Sequence, residues 1–258
     1  SEGALEISKK GIHSAAGDRG SDQGYDEGMF EEWSVGDANN VSYHLPADLL
    51  PFGIKGSIAY APSTVADANQ SVNNLVASNT GAITAANNSG KVYTSGSLAN
   101  AGRSFTQYAV SAAPIDGLTI GASYGDFGGS TGDTGQNGEG GSYYVGYTLG
   151  NATLGYSKSH VALPTAKTAA TYETVLGSKY SALVAINDQL SVSYGVEKSE
   201  ATHMLSTTAD VEQEVTQIAA AYTTGGLTLA VSMNDYENAL YTLNQDVTST
   251  VFNVSMAF

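Results

Sequence analysis

The sequence predicts an all-β fold, an antiparallel up-and-down barrel with about twelve strands visible in its 258 residues. Three observations carry this. Apolar and small polar residues alternate with period two in segment after segment, which places each kind on its own face of a strand. The connections between those segments alternate strictly between long and short, so the barrel has one elaborated end and one trimmed end. Charged residues make up 14% of the chain, while Gly (30) and Tyr (16) are abundant; a soluble domain carries about a quarter charged residues.

The elements follow in order. Residues 4–10 and 39–46 are read as the first two strands. In 53–62, Ile54, Ile58 and Tyr60 alternate with Lys55, Ser57 and Ala59; 104–113 follows the same rhythm. Leu118, Ile120, Ala122 and Tyr124 mark 117–126, and 141–149 comes next. Ala152, Leu154 and Tyr156 interleave with Thr153, Gly155 and Ser157 across 151–161, before 175–187. Leu190, Val192, Tyr194 and Val196 define 189–200, followed by 212–223. Leu227, Leu229, Val231 and Met233 define 226–237, and 247–258 closes the chain. The long connections are 11–38, 63–103, 127–140, 162–174, 201–211 and 238–246. The short ones centre on 47–52, 114–116, Gly150, Asp188 and Gly225.

The next question is which face points inward. In a soluble barrel or sandwich the apolar face packs inside. Twelve strands would enclose a lumen too wide for these side chains to fill, and the opposite face is small and polar with isolated charges (Lys55, Lys179, Glu197). Turning the apolar face to lipid and the polar face to water resolves this. Tyr43, Tyr60, Tyr108, Tyr124, Tyr143, Tyr147, Tyr156, Tyr194 and Tyr222 fall in the apolar phase, as residues of an interfacial girdle would.

Several function classes are excluded. A formal charge of -15 argues against nucleic acid as a partner, since phosphate contacts need a basic surface. The absence of cysteine removes disulfides, thiolate metal sites and cysteine nucleophiles. No apolar run is long enough for a transmembrane helix, and the opening Ser1-Glu2-Gly3-Ala4 has no signal-peptide pattern. His13, His44, His160 and His203 are widely spaced and form no zinc motif. The glycine-rich run 127–140 lacks a phosphate-loop context, and Asp126, Asp133 and Glu139 lack calcium-loop spacing. No cofactor, metal or catalytic residue is therefore expected. An outer-membrane phospholipase would need an outward-facing Ser and His, whereas His44 is read as facing the lumen.

Three short motifs carry a family resemblance. The end, Thr250-Val251-Phe252-Asn253-Val254-Ser255-Met256-Ala257-Phe258, resembles the closing strand of bacterial outer-membrane proteins. Asn39-Asn40-Val41-Ser42-Tyr43-His44-Leu45-Pro46, followed by Phe52-Gly53-Ile54, resembles the strand pair after the constriction loop of general diffusion porins. Gly3-Ala4-Leu5-Glu6-Ile7-Ser8 is similar to the strand leading into that loop. The family so resembled is the trimeric, sixteen-stranded porins of Gram-negative bacteria, its alphaproteobacterial members nearest in length and acidity. The resemblance implies an outer-membrane location and contact with lipid and lipopolysaccharide. It also implies a homotrimer and passive diffusion of small hydrophilic solutes and ions, with no reaction catalysed. Counting back from Phe258 as the sixteenth strand makes 4–10 the fifth, so four further strands would precede it unless the barrel closes with twelve. A substrate-selective channel of about twelve strands, for an oligosaccharide or nucleoside, is the alternative, with an enzyme or adhesin barrel behind it.

That numbering makes 11–38 the inward-folded constriction loop of a single barrel domain. The loop holds Asp18, Asp22, Asp26, Glu27, Glu31, Glu32 and Asp37 against Arg19. Acidic rings build cation-preferring pores, so Asp22, Asp26, Glu27, Glu31 and Glu32 are the expected constriction carboxylates. A solvated acidic loop is the competing reading, although Phe30 and Trp33 need a surface to cover. Lys10, Lys55 and Lys179 are the basic candidates for the lumen wall.

Overall fold

The structure, a computed structural model, describes residues 10–22, 40–46, 49–62, 104–128, 138–162, 172–203 and 209–256. They form one antiparallel sheet of 11 strands in sequence order. The strands are β1 (Val41–His44), β2 (Lys55–Ala61), β3 (Phe105–Ile115), β4 (Leu118–Phe127), β5 (Glu139–Leu149) and β6 (Ala152–Ala162). They continue with β7 (Tyr172–Ala185), β8 (Leu190–His203), β9 (Val211–Thr224), β10 (Leu227–Glu237) and β11 (Val247–Met256). Each strand pairs with its sequence neighbour, an up-and-down meander. Among the described residues β1 and β11 remain its edges and the sheet is not closed. Because neighbours are antiparallel and the strand number is odd, the two edge strands run in the same direction.

Short turns at one end keep the register. Gly117 takes φ +77° between β3 and β4, where a Cβ would strike the Thr148 carbonyl; only glycine fits both the backbone conformation and the space. Gly225 and Gly226, at φ +55° and +84°, turn β9 into β10. Between β7 and β8 the Asn187 side chain accepts from the Gln189 and Leu190 amides, closing the turn without a glycine.

The sheet is polarised in the sense opposite to a soluble core. The nine tyrosines assigned to the apolar phase are all exposed, from 36% at Tyr147 to 58% at Tyr43. Leu154, Ile218, Met233, Phe252 and Val254 share their exposure. On the other face Gln107, Ser142, Ser157, Ser193, Gln213, Gln217 and Asn234 are buried. A small apolar cluster (Val215, Tyr236, Ala239 and the flanking Val247) sits at the long-loop end of β9–β11.

Twelve strands were expected and 11 are described. The difference lies at 4–10, of which residues 4–9 are outside the described residues. Lys10 and Gly11 lie in a 3₁₀ turn, and Gly11 lies against the polar face of β6. The long connection 63–103 and the terminal Phe258 also lie outside the described residues, as does most of 127–140.

Candidate functional site

Residues 11–22 cross the polar face as a strap running from β6 to β10. Serines and glutamine facing inward from successive strands reach its backbone, which has no ladder of its own and must find partners. The Gly11 carbonyl accepts from Ser181 Oγ (3.2 Å), and the His13 amide donates to the same hydroxyl at 2.8 Å. The Ala15 amide donates to Ser193 Oγ at 2.8 Å. Further along, Gln217 Nε2 donates to the Asp18 carbonyl at 3.2 Å and Tyr236 OH to the Gly20 carbonyl at 2.8 Å. Tyr236→Phe leaves that carbonyl without its donor. The expected cost is about 1 kcal/mol, to be read as a lower thermal midpoint of the folded protein in detergent.

At its start the strap lies too close to the wall for side chains. A Cβ on Gly11 would fall 2.6 Å from Ser157 Cβ, and one on Gly155 would meet the Gly11 carbonyl and lie 2.8 Å from His13 Cδ2. Gly155 pairs with Gly146 across β5 and β6, and the His13 ring lies over this bare notch. Burial pushes the His13 imidazole below its ordinary value of 6.5, because the charged form would be poorly solvated there. A depressed base stabilises the docked state fully above pH 6.5, and that contribution is lost as pH falls through the lowered value. Amide exchange at His13 and Ala15 is therefore expected to be faster at pH 5 than at pH 8, after correction for intrinsic rates; pH-independent protection would remove His13 from the anchor.

A buried ionic cluster holds the far end. Lys179 and Glu197 are direct cross-strand partners on β7 and β8, each 2% exposed. Lys179 Nζ lies 3.4 Å from Glu197 Oε2, and Arg19 Nη1 lies 3.6 Å from the same oxygen. The strap adds Ser21, whose amide and hydroxyl donate to the two oxygens of Glu197 at 3.0 and 2.9 Å. Arg19 also forks onto Asp22, at 2.7 and 2.9 Å. Among the described residues the anchor thus joins two cations and two carboxylates. A second covering element comes from the β10–β11 connection. Its 3₁₀ turn Ala239–Tyr241 brings Tyr241 OH to 2.6 Å from Ser199 Oγ on β8.

The expected site residues are dispersed by this arrangement. Asp22 is bound to Arg19 with its side chain 44% exposed, and Lys179 is buried against Glu197 beneath the strap. Lys55 is exposed at the short-turn end of β2, and Lys10 is exposed where the strap begins. Asp26, Glu27, Glu31 and Glu32 lie outside the described residues. Sequence reasoning missed Glu197 as the anchor, although a signal exists. Lys179 and Glu197 are equally far from Asp188, the centre of the expected short turn, so folding that hairpin sets them opposite each other.

No protein-family model matches the chain, and no curated protein matches it. Among solved structures, Salmonella typhi OmpF in complex with daunomycin superposes with a TM-score of 0.58 at 13% identity. The match covers 83% of this chain and 60% of that one. In-vitro folded OmpT, an outer membrane protein of Vibrio cholerae, gives a TM-score of 0.50 at 12% identity over 98% of this chain and 70% of that one. At such identities the likeness is one of fold. The chain spans 60% of the length of the OmpF chain that it matches, and its antiparallel up-and-down sheet is that of an outer-membrane β-barrel.

Proposed function

We propose that the protein is an outer-membrane porin of a Gram-negative bacterium, passing small hydrophilic solutes and ions passively through a hydrated lumen. The observation that carries this reading is the inverted polarity of the sheet, with a strap pinned across its polar face. Exposed apolar and tyrosine side chains suit contact with lipid, and the buried serines, glutamines and asparagine suit a water-facing wall. The strap narrows that lumen, as a constriction loop does. No bond is made or broken, so the protein is not an enzyme on this reading, and it assembles as a homotrimer in contact with lipopolysaccharide.

The edge strands bear on closure. Parallel edges close through an odd number of further antiparallel strands, which makes the total even, as bacterial barrels are. A sixteen-stranded barrel calls for five more than the 11 described and a twelve-stranded barrel for one. Both satisfy the parity, and the fold likeness to OmpF favours the larger.

On this reading the selectivity of the pore falls to the carboxylates of the loop beyond Asp22. Asp26, Glu27, Glu31 and Glu32 make the pore mildly cation-preferring. The test is planar-bilayer conductance of the purified, folded protein under a salt gradient. Stepwise openings in threes with a cation-biased reversal potential are expected. Changing these four residues to Asn or Gln is expected to move the reversal potential toward anions; an unmoved potential takes this loop out of the constriction, and an absence of conductance overturns the porin reading.

A further inference from the structure

The strap is held unevenly along its length. Its far half, residues 18–22, carries the ionic anchor on Glu197 together with the bond from Tyr236 to the Gly20 carbonyl. Its near half, residues 11–15, is held by neutral hydrogen bonds to Ser181 and Ser193 and by the His13 ring over the Gly146–Gly155 notch. Between the halves Ser14 closes a turn: its hydroxyl accepts from the Ala16 amide and its carbonyl from the Gly17 amide, each at 3.2 Å. Gly17 takes φ +92°, with open space where a Cβ would stand. The chain there has both the backbone freedom and the room to swivel.

The notch suits a neutral imidazole and not a charged one. His13 Nε2 is buried and has no hydrogen-bond partner among the described residues. The positions on this face around it are Thr119 on β4, Tyr144 and Thr148 on β5, Thr153 and Ser157 on β6, and Ser181 and Leu183 on β7. None is a carboxylate. The ionisable groups next to them are Tyr144, Lys10 on the strap itself, and Lys179, the cross-strand partner of Ser157, which already meets Glu197. Protonation would place a full charge and a second N–H donor in the notch with two lysines as its cationic neighbours and no acceptor for the new donor. A buried charge without a partner is costly; the imidazolium is solvated only by leaving.

We infer that residues 11–15 are an acid-released arm: protonation of His13 frees them from the glycine notch about Gly17 while the Glu197 anchor keeps 18–22 in place, and the lumen widens on its β5–β6 side. The widening rests on the porin reading above; the release of the arm does not. The ordinary imidazole value of 6.5 bounds the effect. At pH 5 protonation of the freed arm weakens docking by at most about thirtyfold.

The test reads amide exchange at Ala15 and Ser21 of the purified, folded protein in detergent, corrected for intrinsic rates, together with single-channel conductance, at pH 8 and pH 5. Wild-type protection at Ala15 is expected to fall severalfold on acidification while Ser21 keeps its own. In His13→Asn, which has no imidazole to protonate, protection at Ala15 is expected to change less than about twofold over the same range. The ratio of conductance at pH 5 to that at pH 8 is expected to be larger in wild type than in His13→Asn, a comparison that cancels the titration of carboxylates elsewhere in the pore. Equal loss of protection at Ser21 overturns the hinge, because the whole strap then leaves together. Loss at Ala15 as large in His13→Asn as in wild type overturns the role of the imidazole. Equal conductance ratios in the two proteins overturn the widening. Acid release at Ala15 in a protein that conducts no ions at either pH leaves the arm standing and overturns the porin reading.

Discussion

Replacing Gly155 with leucine is expected to lift the strap from the wall and raise single-channel conductance severalfold. The Cβ alone would collide with the Gly11 carbonyl and approach His13 Cδ2 to 2.8 Å, and the branched remainder has no room on either side. The wall cannot yield instead, because β6 is laddered to β5 and β7 along its length. Overpacking of this kind costs about 1–3 kcal/mol, comparable to the few neutral hydrogen bonds that hold this end of the strap. Folding of the sheet itself is expected to survive, since Gly155 contributes no side chain to it. Conductance and amide exchange at His13 are the paired readouts. If exchange accelerates while conductance stays at the wild-type value, the strap moves without setting the pore, and its role as a constriction is lost.

Glu197→Ala is expected to be the most destabilising single change, at about 3–5 kcal/mol. The carboxylate is buried, and it meets Lys179, Arg19 and both donors of Ser21. Truncating it takes from Lys179 the carboxylate 3.4 Å from its ammonium and removes the acceptor from Ser21. Arg19 retains Asp22, so the loss falls mainly on Lys179 and on the strap's far end. The double variant Lys179→Met/Glu197→Met is therefore expected to recover much of the stability, because a buried pair replaced by apolar groups costs far less than a broken one. Thermal and urea midpoints of the two variants in detergent decide this. A Glu197→Ala protein that unfolds at the wild-type midpoint would show that the cluster does not hold the strap.

Much of the fold is legible without coordinates. Alternation such as Leu190-Ser191-Val192-Ser193-Tyr194 assigns each side chain to a face before any partner is known, and the exposed tyrosines follow that assignment. The strand expected at 4–10 falls mostly outside the described residues. Leu5, Glu6, Ile7 and Ser8 alternate as a strand does, and nothing in that alternation tells that the chain from Gly11 onward crosses the sheet's polar face. Alternation reports a possible pairing surface and cannot report whether a neighbour is there to pair.

The site was less legible for a related reason. Arg19 was read as a lone base in an acidic loop and Lys179 as a scattered wall charge, each judged by its own neighbours in sequence. The contacts that define their roles join Arg19 to Glu197, Ser21 to Glu197 and Gly20 to Tyr236, across most of the chain. Glycine at 11 and 155 is likewise uninformative alone; its meaning is the close approach of two backbones.

By itself, then, the sequence determined the periodicity of the strands, the inverted polarity of their faces and the alternation of long and short connections. All three are local, set by side-chain direction along a strand and by turn residues such as Gly117 and Gly225. The tertiary structure decided where the strap lies and which charges meet beneath it. Those outcomes depend on contacts between residues far apart in the chain, whose energies exist only once the sheet has brought their partners within reach.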